Sequence, residues 1–380
     1  MTSEERHQAR YQRRRAARAA AKGARLALAD NYEQVFSYGN LYQAYRKCRR
    51  NVSWKASVQR YITQAPLNVY RTWERLQAGT YTSPPFFEFD IYERGKHRHI
   101  KSTIIAERVV QRCLCDNALI PAVTGSFIYD NGACMKGKGY DFAVKRLHCH
   151  LQQYIRHHGT GGYIMVCDLK SFFDSIMHWA VSRILVGSFR DLRLIGITED
   201  LIRQFDPDAP PEFRKGLGLG SQISQVLAPA IAGALDHYVK EVLRIRYYGR
   251  YMDDFYLIHP DKEYLQYCKE KIREKCASLG LVLSERKTQI VKLTHGFTWL
   301  KVRWYITETG KVIKKMHRSS ITRERRKLKK LRRKLDAGEI TPKDAFNSFQ
   351  SWRSHCRRFK TWRTLQSMTI LYAQLFIARR

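Results

Sequence analysis

Six residues, Arg250-Tyr251-Met252-Asp253-Asp254-Phe255, constrain this chain more than any others. Two adjacent carboxylates follow an aromatic-x pair, and an apolar run, Phe255-Tyr256-Leu257-Ile258, stands directly behind them. Alternation and aromatic content predict a β-hairpin whose turn carries the acids. Like charges side by side at a tight turn repel, so a fold tolerates them best with a divalent cation between them. Mg²⁺ is held in this way, by one or two carboxylates with substrate phosphates completing the octahedron. Upstream, the strand-like run Tyr163-Ile164-Met165-Val166-Cys167-Asp168 ends in a further acid. Together Asp168, Asp253 and Asp254 form a minimum set for two-metal phosphoryl or nucleotidyl transfer.

The charge balance names a partner for such chemistry. Over 380 residues the formal net charge is +35, an excess that self-repels unless a polyanion shares the site, which makes nucleic acid the leading partner. Aromatic residues at 12%, with 22 Tyr, suit surfaces that stack bases. An anionic membrane surface is the main competitor, but no apolar run of about 18 residues exists, so a transmembrane span is excluded, and no membrane partner is expected. The nine cysteines show no zinc spacing and their number is odd. With no secretory signal read from the sequence, reduced thiols and a cytoplasmic location are expected.

Along the chain, residues 1–30 read as a basic arm, either a solvated tail or an RNA clamp. Amphipathic helical spacing runs from about Asn31 to Ala78, and Ser83-Pro84-Pro85 breaks it ahead of a strand at 86–92. A turn at Arg94-Gly95-Lys96 leads into His97-Arg98-His99-Ile100, a basic hairpin. A helix is expected over about 141–155, a strand to Asp168, a short aromatic helix at 171–176 and a loop-rich insertion over 196–220. Helices at about 224–243 and 262–279 flank the Asp253-Asp254 hairpin, with strands at 281–283 and 297–300 beyond. The order from 163 to 290 suits an antiparallel sheet backed by two helices, an α+β arrangement. From Lys311 to Lys334 basic residues dominate and Glu324 is the only acid, which predicts a helix with one apolar stripe and a basic face turned to phosphates. A further helical unit closes the chain over 341–380.

Four elements now stand in order: the Asp-ended strand, a Gly-rich turn opening a helix, the aromatic-x-Asp-Asp hairpin, and Lys287 after a strand. In that order they resemble the palm of reverse transcriptases. Tyr251-Met252-Asp253-Asp254 is similar to that family's hairpin signature, and Cys167-Asp168-Leu169-Lys170-Ser171-Phe172-Phe173 to its first palm motif. The resemblance covers about residues 85–305 and, more weakly, the basic region to 365. It implies a right-hand polymerase with fingers, a palm of antiparallel sheet backed by helices, and a helical basic thumb. The corresponding boundaries are 1–30 for the arm, 31–160 for the fingers with a helical extension, 161–305 for the catalytic palm and 306–380 for the thumb.

The resemblance also implies roles. Asp168, Asp253 and Asp254, with the peptide carbonyl of Leu169, would ligate two Mg²⁺ ions, Mn²⁺ being an alternative. Phe173, five residues after the first Asp, would be the steric gate under the incoming sugar, favouring deoxynucleotides. Lys287 would serve the leaving pyrophosphate, with Arg286 a competitor for that role. Lys96, Arg98 and Arg108 would grip the dNTP triphosphate, for which forked guanidinium donors are suited.

Two departures refine the resemblance. Where most reverse transcriptases open the second palm motif with Gln-Gly and follow with Ser-Pro, this chain has Leu219-Gly220-Ser221-Gln222-Ile223-Ser224-Gln225. That form is similar to the reverse transcriptases of diversity-generating retroelements. Losing the amide at position 219 removes a polar orienting contact, and matched hydrogen bonds carry much of a pocket's selectivity. The resemblance therefore implies error-prone copying of a structured template RNA into cDNA, with a small basic accessory protein as a further partner. Met135 stands where relatives often carry arginine, with Lys136 or Lys138 as substitutes. An antiphage defence-associated or retron-like reverse transcriptase, copying its own non-coding RNA, is the alternative.

Overall fold

A computed structural model describes residues 2–93, 96–218 and 220–377. The chain divides into two compact units, one of Met1–Gly139, Leu169–Arg244 and Glu270–Ser284, the other of Tyr140–Asp168, Ile245–Lys269 and Glu285–Arg380.

The first unit is helical apart from one hairpin. Its long basic helix, Ser3–Ala29, opens with a capping box in which the Thr2 hydroxyl and the Glu5 carboxylate satisfy each other's backbone N–H groups. The expected helical stretch over 31–78 breaks into pieces because capping residues interrupt it: Asn31, Ser37 and the Gln64–Pro66 step each start a new helix. Helices Tyr38–Cys48, Ala65–Gln77 and Ile105–Leu114 share a core of Leu41, Tyr45, Val69, Leu76, Val110 and Leu114. Strands β1 (Phe87–Glu93) and β2 (Lys96–Ser102) pair antiparallel, placing Asp90 opposite His99 and Glu88 opposite Lys101. The helix Gln222–His237 buries residues around its whole circumference, which fits its unbroken apolar run Val226–Leu235.

Two expectations for this unit are corrected. The stretch 196–220 is not all loop, for a helix spans Leu192–Arg203. Asp191 caps it, and Leu194, Ile195, Thr198, Leu201 and Ile202 bury one face; the Pro- and Asp-rich residues 206–211 behind it had masked that period. No strand forms over 281–283, only a single bridge between Leu283 and Leu169.

The second unit carries two antiparallel sheets. β3 (Tyr163–Asp168), β4 (Tyr247–Tyr251), β5 (Asp254–His259) and β6 (Gln289–Lys292) lie in the order β4-β5-β3-β6. β7 (Phe297–Trp299), β8 (Val302–Ile306) and β9 (Val312–Met316) form the second. One core serves both. Helix Tyr140–His158 contributes Ala143, Leu147, Leu151 and Tyr154 at helical spacing, packed with Ile164, Tyr256, Ile258, Trp299 and Trp304. The Tyr256 and Trp299 rings meet edge-on at 4.8 Å. Gly249 is required beside them, since a Cβ there would stand 2.7 Å from the buried Tyr256 hydroxyl.

β9 corrects the expected helix over 311–334, which begins at Arg318 with His317 as its cap. Lys314 and Lys315 had made the strand look like part of the basic helix. That helix, Arg318–Asp336, packs with Pro342–Cys356 and Trp362–Phe376 around Leu328, Phe349 and Met368. Among the described residues no helix is long and apolar enough to cross a membrane.

Candidate active site

The register of the four-stranded sheet brings the acids together. In the β3–β5 ladder Asp168 stands opposite Asp254, so their side chains share one face. Residues so paired have Cα atoms about 4.5–5.5 Å apart. In the β4–β5 ladder Tyr251 stands opposite Asp254, which leaves Met252 and Asp253 as a two-residue turn. Met252 takes the left-handed conformation, φ 57°, that such turns demand. Arg250, 1% exposed, donates from Nη1 to the Met252 carbonyl at 3.1 Å and fixes the turn from its buried side.

The neighbouring acids act on Asp254 electrostatically. The Asp254 carboxyl is pushed up from 3.8 to about 7, first by burial, then by the charges of Asp253 and Asp168; Lys287 and Lys301 oppose the rise. The Lys287 ammonium donates to both Asp168 oxygens, at 2.7 and 2.8 Å, and this bond holds the lysine pKa above its ordinary value. Asp168 is buried and the lysine side chain half-exposed, so the cation reaches the carboxylate from the solvent side.

Among the described residues no group of three His, Cys, Asp or Glu side chains stands ready to hold a metal ion. The donor set nevertheless fits Mg²⁺ or Mn²⁺ in kind: hard carboxylate oxygens, one of whose carboxyls is held partly protonated at neutral pH by burial and then by its charged neighbours. At Asp168 a lysine ammonium stands where a metal cation would bind.

The remaining expected site residues belong to the first unit. Leu169 is buried and bridges Leu283. Phe173 is half-buried with its ring 5.4 Å from that of Phe172, and its carbonyl accepts from the Leu217 N–H at 2.9 Å. Gly220 is exposed at φ 100°, a conformation that favours glycine, and Gln225 is exposed on the helix Gln222–His237. Arg108 is exposed and donates to Ser102 Oγ at 2.9 Å. Lys96 and Arg98 lie on β2, with their side chains outside the described set, and Leu219 lies outside the described residues. Lys138, a named substitute near Met135, donates to the Tyr129 carbonyl at 2.6 Å.

Three features escaped the sequence reading. Arg250 is a buried strut of the turn. Lys301, in the Leu300–Lys301 turn between β7 and β8, acts on Asp254. In the first unit a buried relay runs from the Tyr81 hydroxyl to Glu107, from Gln111 Nε2 to Glu107 at 3.1 Å, and from Ser221 Oγ to Gln111 Oε1 at 3.2 Å. It fastens the residue next to Gly220, and burial raises the Glu107 pKa.

The sequence profile described as Reverse transcriptase (RNA-dependent DNA polymerase) matches residues 93–304, more than half of the chain. Among solved structures, apo telomerase from Candida tropicalis truncated from its C-terminal domain is similar at 14% identity and TM-score 0.45, over 60% of this chain and 54% of that one. Telomerase from Candida albicans in complex with a fragment of telomeric RNA is similar at 11% identity and TM-score 0.48, over 78% of this chain and 59% of that one. This chain thus spans between half and three-fifths of those structures' length. No curated protein matches it. On the profile match, the chain belongs to the reverse transcriptase (RNA-dependent DNA polymerase) family.

Proposed function

We propose that this chain copies an RNA template into cDNA by metal-dependent nucleotidyl transfer. The observation that carries the reading is the cross-strand pairing of Asp168 with Asp254, with Asp253 in the adjoining turn, in a chain of this family. Asp168, Asp253, Asp254 and the Leu169 carbonyl are the proposed ligands. Bound divalent ions would lower the pKa of the primer 3′-hydroxyl and stabilise charge on the departing pyrophosphate. The chain's own groups do the rest. Arg250 keeps the turn fixed, so that Asp253 and Asp254 are presented without reorganisation at the moment of reaction. Lys287 neutralises Asp168 until it turns away, and is then placed to offer a proton or charge to pyrophosphate. Phe173 is assigned the gate against ribonucleotides, and Arg108, with Lys96 and Arg98, the triphosphate.

The Leu219-to-Gln225 run supports the narrower reading, an error-prone enzyme of the diversity-generating retroelement type, working on a structured RNA with a small basic accessory protein. On this reading residues 31–160 are fingers, 161–305 palm and 306–380 thumb. Primer extension on an RNA template, with Asp253→Ala as control, tests the activity: equal products from the two proteins refute it. A near-identical template and variable repeat beside the gene supports the narrower reading, and its absence favours the retron-like or antiphage alternative.

A further inference from the structure

We infer that the exposed face of the helix Ser3–Ala29 is a docking surface for the phosphate backbone of a nucleic acid. The inference rests on the proposed function only in taking RNA as the probe. The helix is anchored at one end. Ala29 is buried, and the Asp30 carboxylate accepts from the Arg190 and Asp191 N–H groups at 2.8 and 3.0 Å. Between Glu4 and Ala21 every described side chain except that of Ala9 is exposed, so some five turns stand clear of the core.

The order of charges on those turns is what points to a polyanion. Arg6, Arg10, Arg14 and Arg18 follow one another four residues apart, with Arg13 and Arg15 beside them, and no acid occurs between Arg6 and Leu28. Residues four apart are neighbours on a helix surface, and like charges there destabilise it by as much as opposite charges would stabilise it. The row therefore costs the isolated helix stability, which good helix formers and the capping box have to offset. A line of phosphates reverses the sign of each of those terms, and guanidinium donors suit phosphate oxygens. An anionic membrane also carries phosphates, but an interfacial helix needs an apolar face to bury. In the exposed turns the only large apolar side chain is Tyr11.

The test uses the full chain with Arg6→Gln, Arg10→Gln, Arg14→Gln and Arg18→Gln combined, titrated with a labelled RNA hairpin across a salt series. Each lost phosphate contact should flatten the slope of log affinity against log salt by about 0.7–0.9, so the loss of all four should lower it by ~3–4. A combined Arg→Lys variant should keep the wild-type slope. An unchanged slope in the Gln variant overturns the inference, and so does loss of binding in the Lys variant, which would reveal a structural role. Phosphatidylserine vesicles supply the last arm. If the Gln variant loses vesicle binding while its RNA slope is unchanged, the surface belongs to a membrane. Because the readout is binding, a chain that shows this slope but extends no primer sinks the polymerase reading and leaves this one standing.

Discussion

Asp254→Asn should make the metal-free protein more stable at pH 8, although it alters a residue of the proposed catalytic centre. Folding raises the Asp254 carboxyl from 3.8 to about 7. A carboxyl raised by folding contributes stability that is fully present below its unfolded value and is lost as pH rises through the folded one. About three pH units at about 1.4 kcal/mol each set a ceiling of ~4 kcal/mol on that loss by pH 8. Asp254 is half-buried, so solvent screening brings the expected figure nearer ~2 kcal/mol. Asparagine keeps the shape and removes the charge. In EDTA at pH 8 the variant should therefore melt higher, by roughly 4–8 °C at ~2–4 °C per kcal/mol for a unit of this size. At pH 4 the advantage should vanish, since the wild-type group is then largely protonated. Mg²⁺ should raise the melting temperature of the wild type more than that of the variant, because binding to the native state alone stabilises it. Thermal melts from pH 4 to 9, with and without Mg²⁺, read all of this. A variant less stable than wild type at every pH in EDTA would refute the argument that burial and neighbouring charge make the ionised Asp254 costly.

Lys287→Met should tighten Mn²⁺ binding about tenfold, equivalent to ~1.4 kcal/mol, by freeing Asp168; Mn²⁺ titration followed by electron paramagnetic resonance checks it, and weaker binding would contradict it. Phe173→Ala should lower discrimination against ribonucleotides at least tenfold in single-nucleotide incorporation, whereas unchanged exclusion would place the gate elsewhere. Leu219→Gln should reduce misincorporation by restoring a side-chain amide, and an unchanged error spectrum in sequenced products would remove that explanation.

What the sequence disclosed followed the range of the interactions involved. The Asp253-Asp254 hairpin was legible because period-2 alternation and a two-residue turn are local signals. The pairing of Asp168 with Asp254 needed only the additional inference of a common sheet. The β9 strand was not legible, since Lys314 and Lys315 continue the composition of the helix behind it and only pairing with β8 separates them. The burial of Arg250 has no local signal, since it accompanies the bond to the Met252 carbonyl across the turn. The contact of Lys287 with Asp168 spans 119 residues and that of Ser221 with Gln111 spans 110; no local pattern encodes either. In Leu192–Arg203 the amphipathic period is ordinary, and the Pro- and Asp-rich residues 206–211 behind it obscure it.

The most direct test is single-turnover extension of a primer annealed to RNA, with dNTPs and Mg²⁺, comparing wild type with Asp253→Ala. The wild type should add deoxynucleotides complementary to the template, and the variant should add none while still binding the primer–template. Extension by both proteins, or by neither under any divalent ion, would contradict the assignment of Asp168, Asp253 and Asp254 as the catalytic carboxylates.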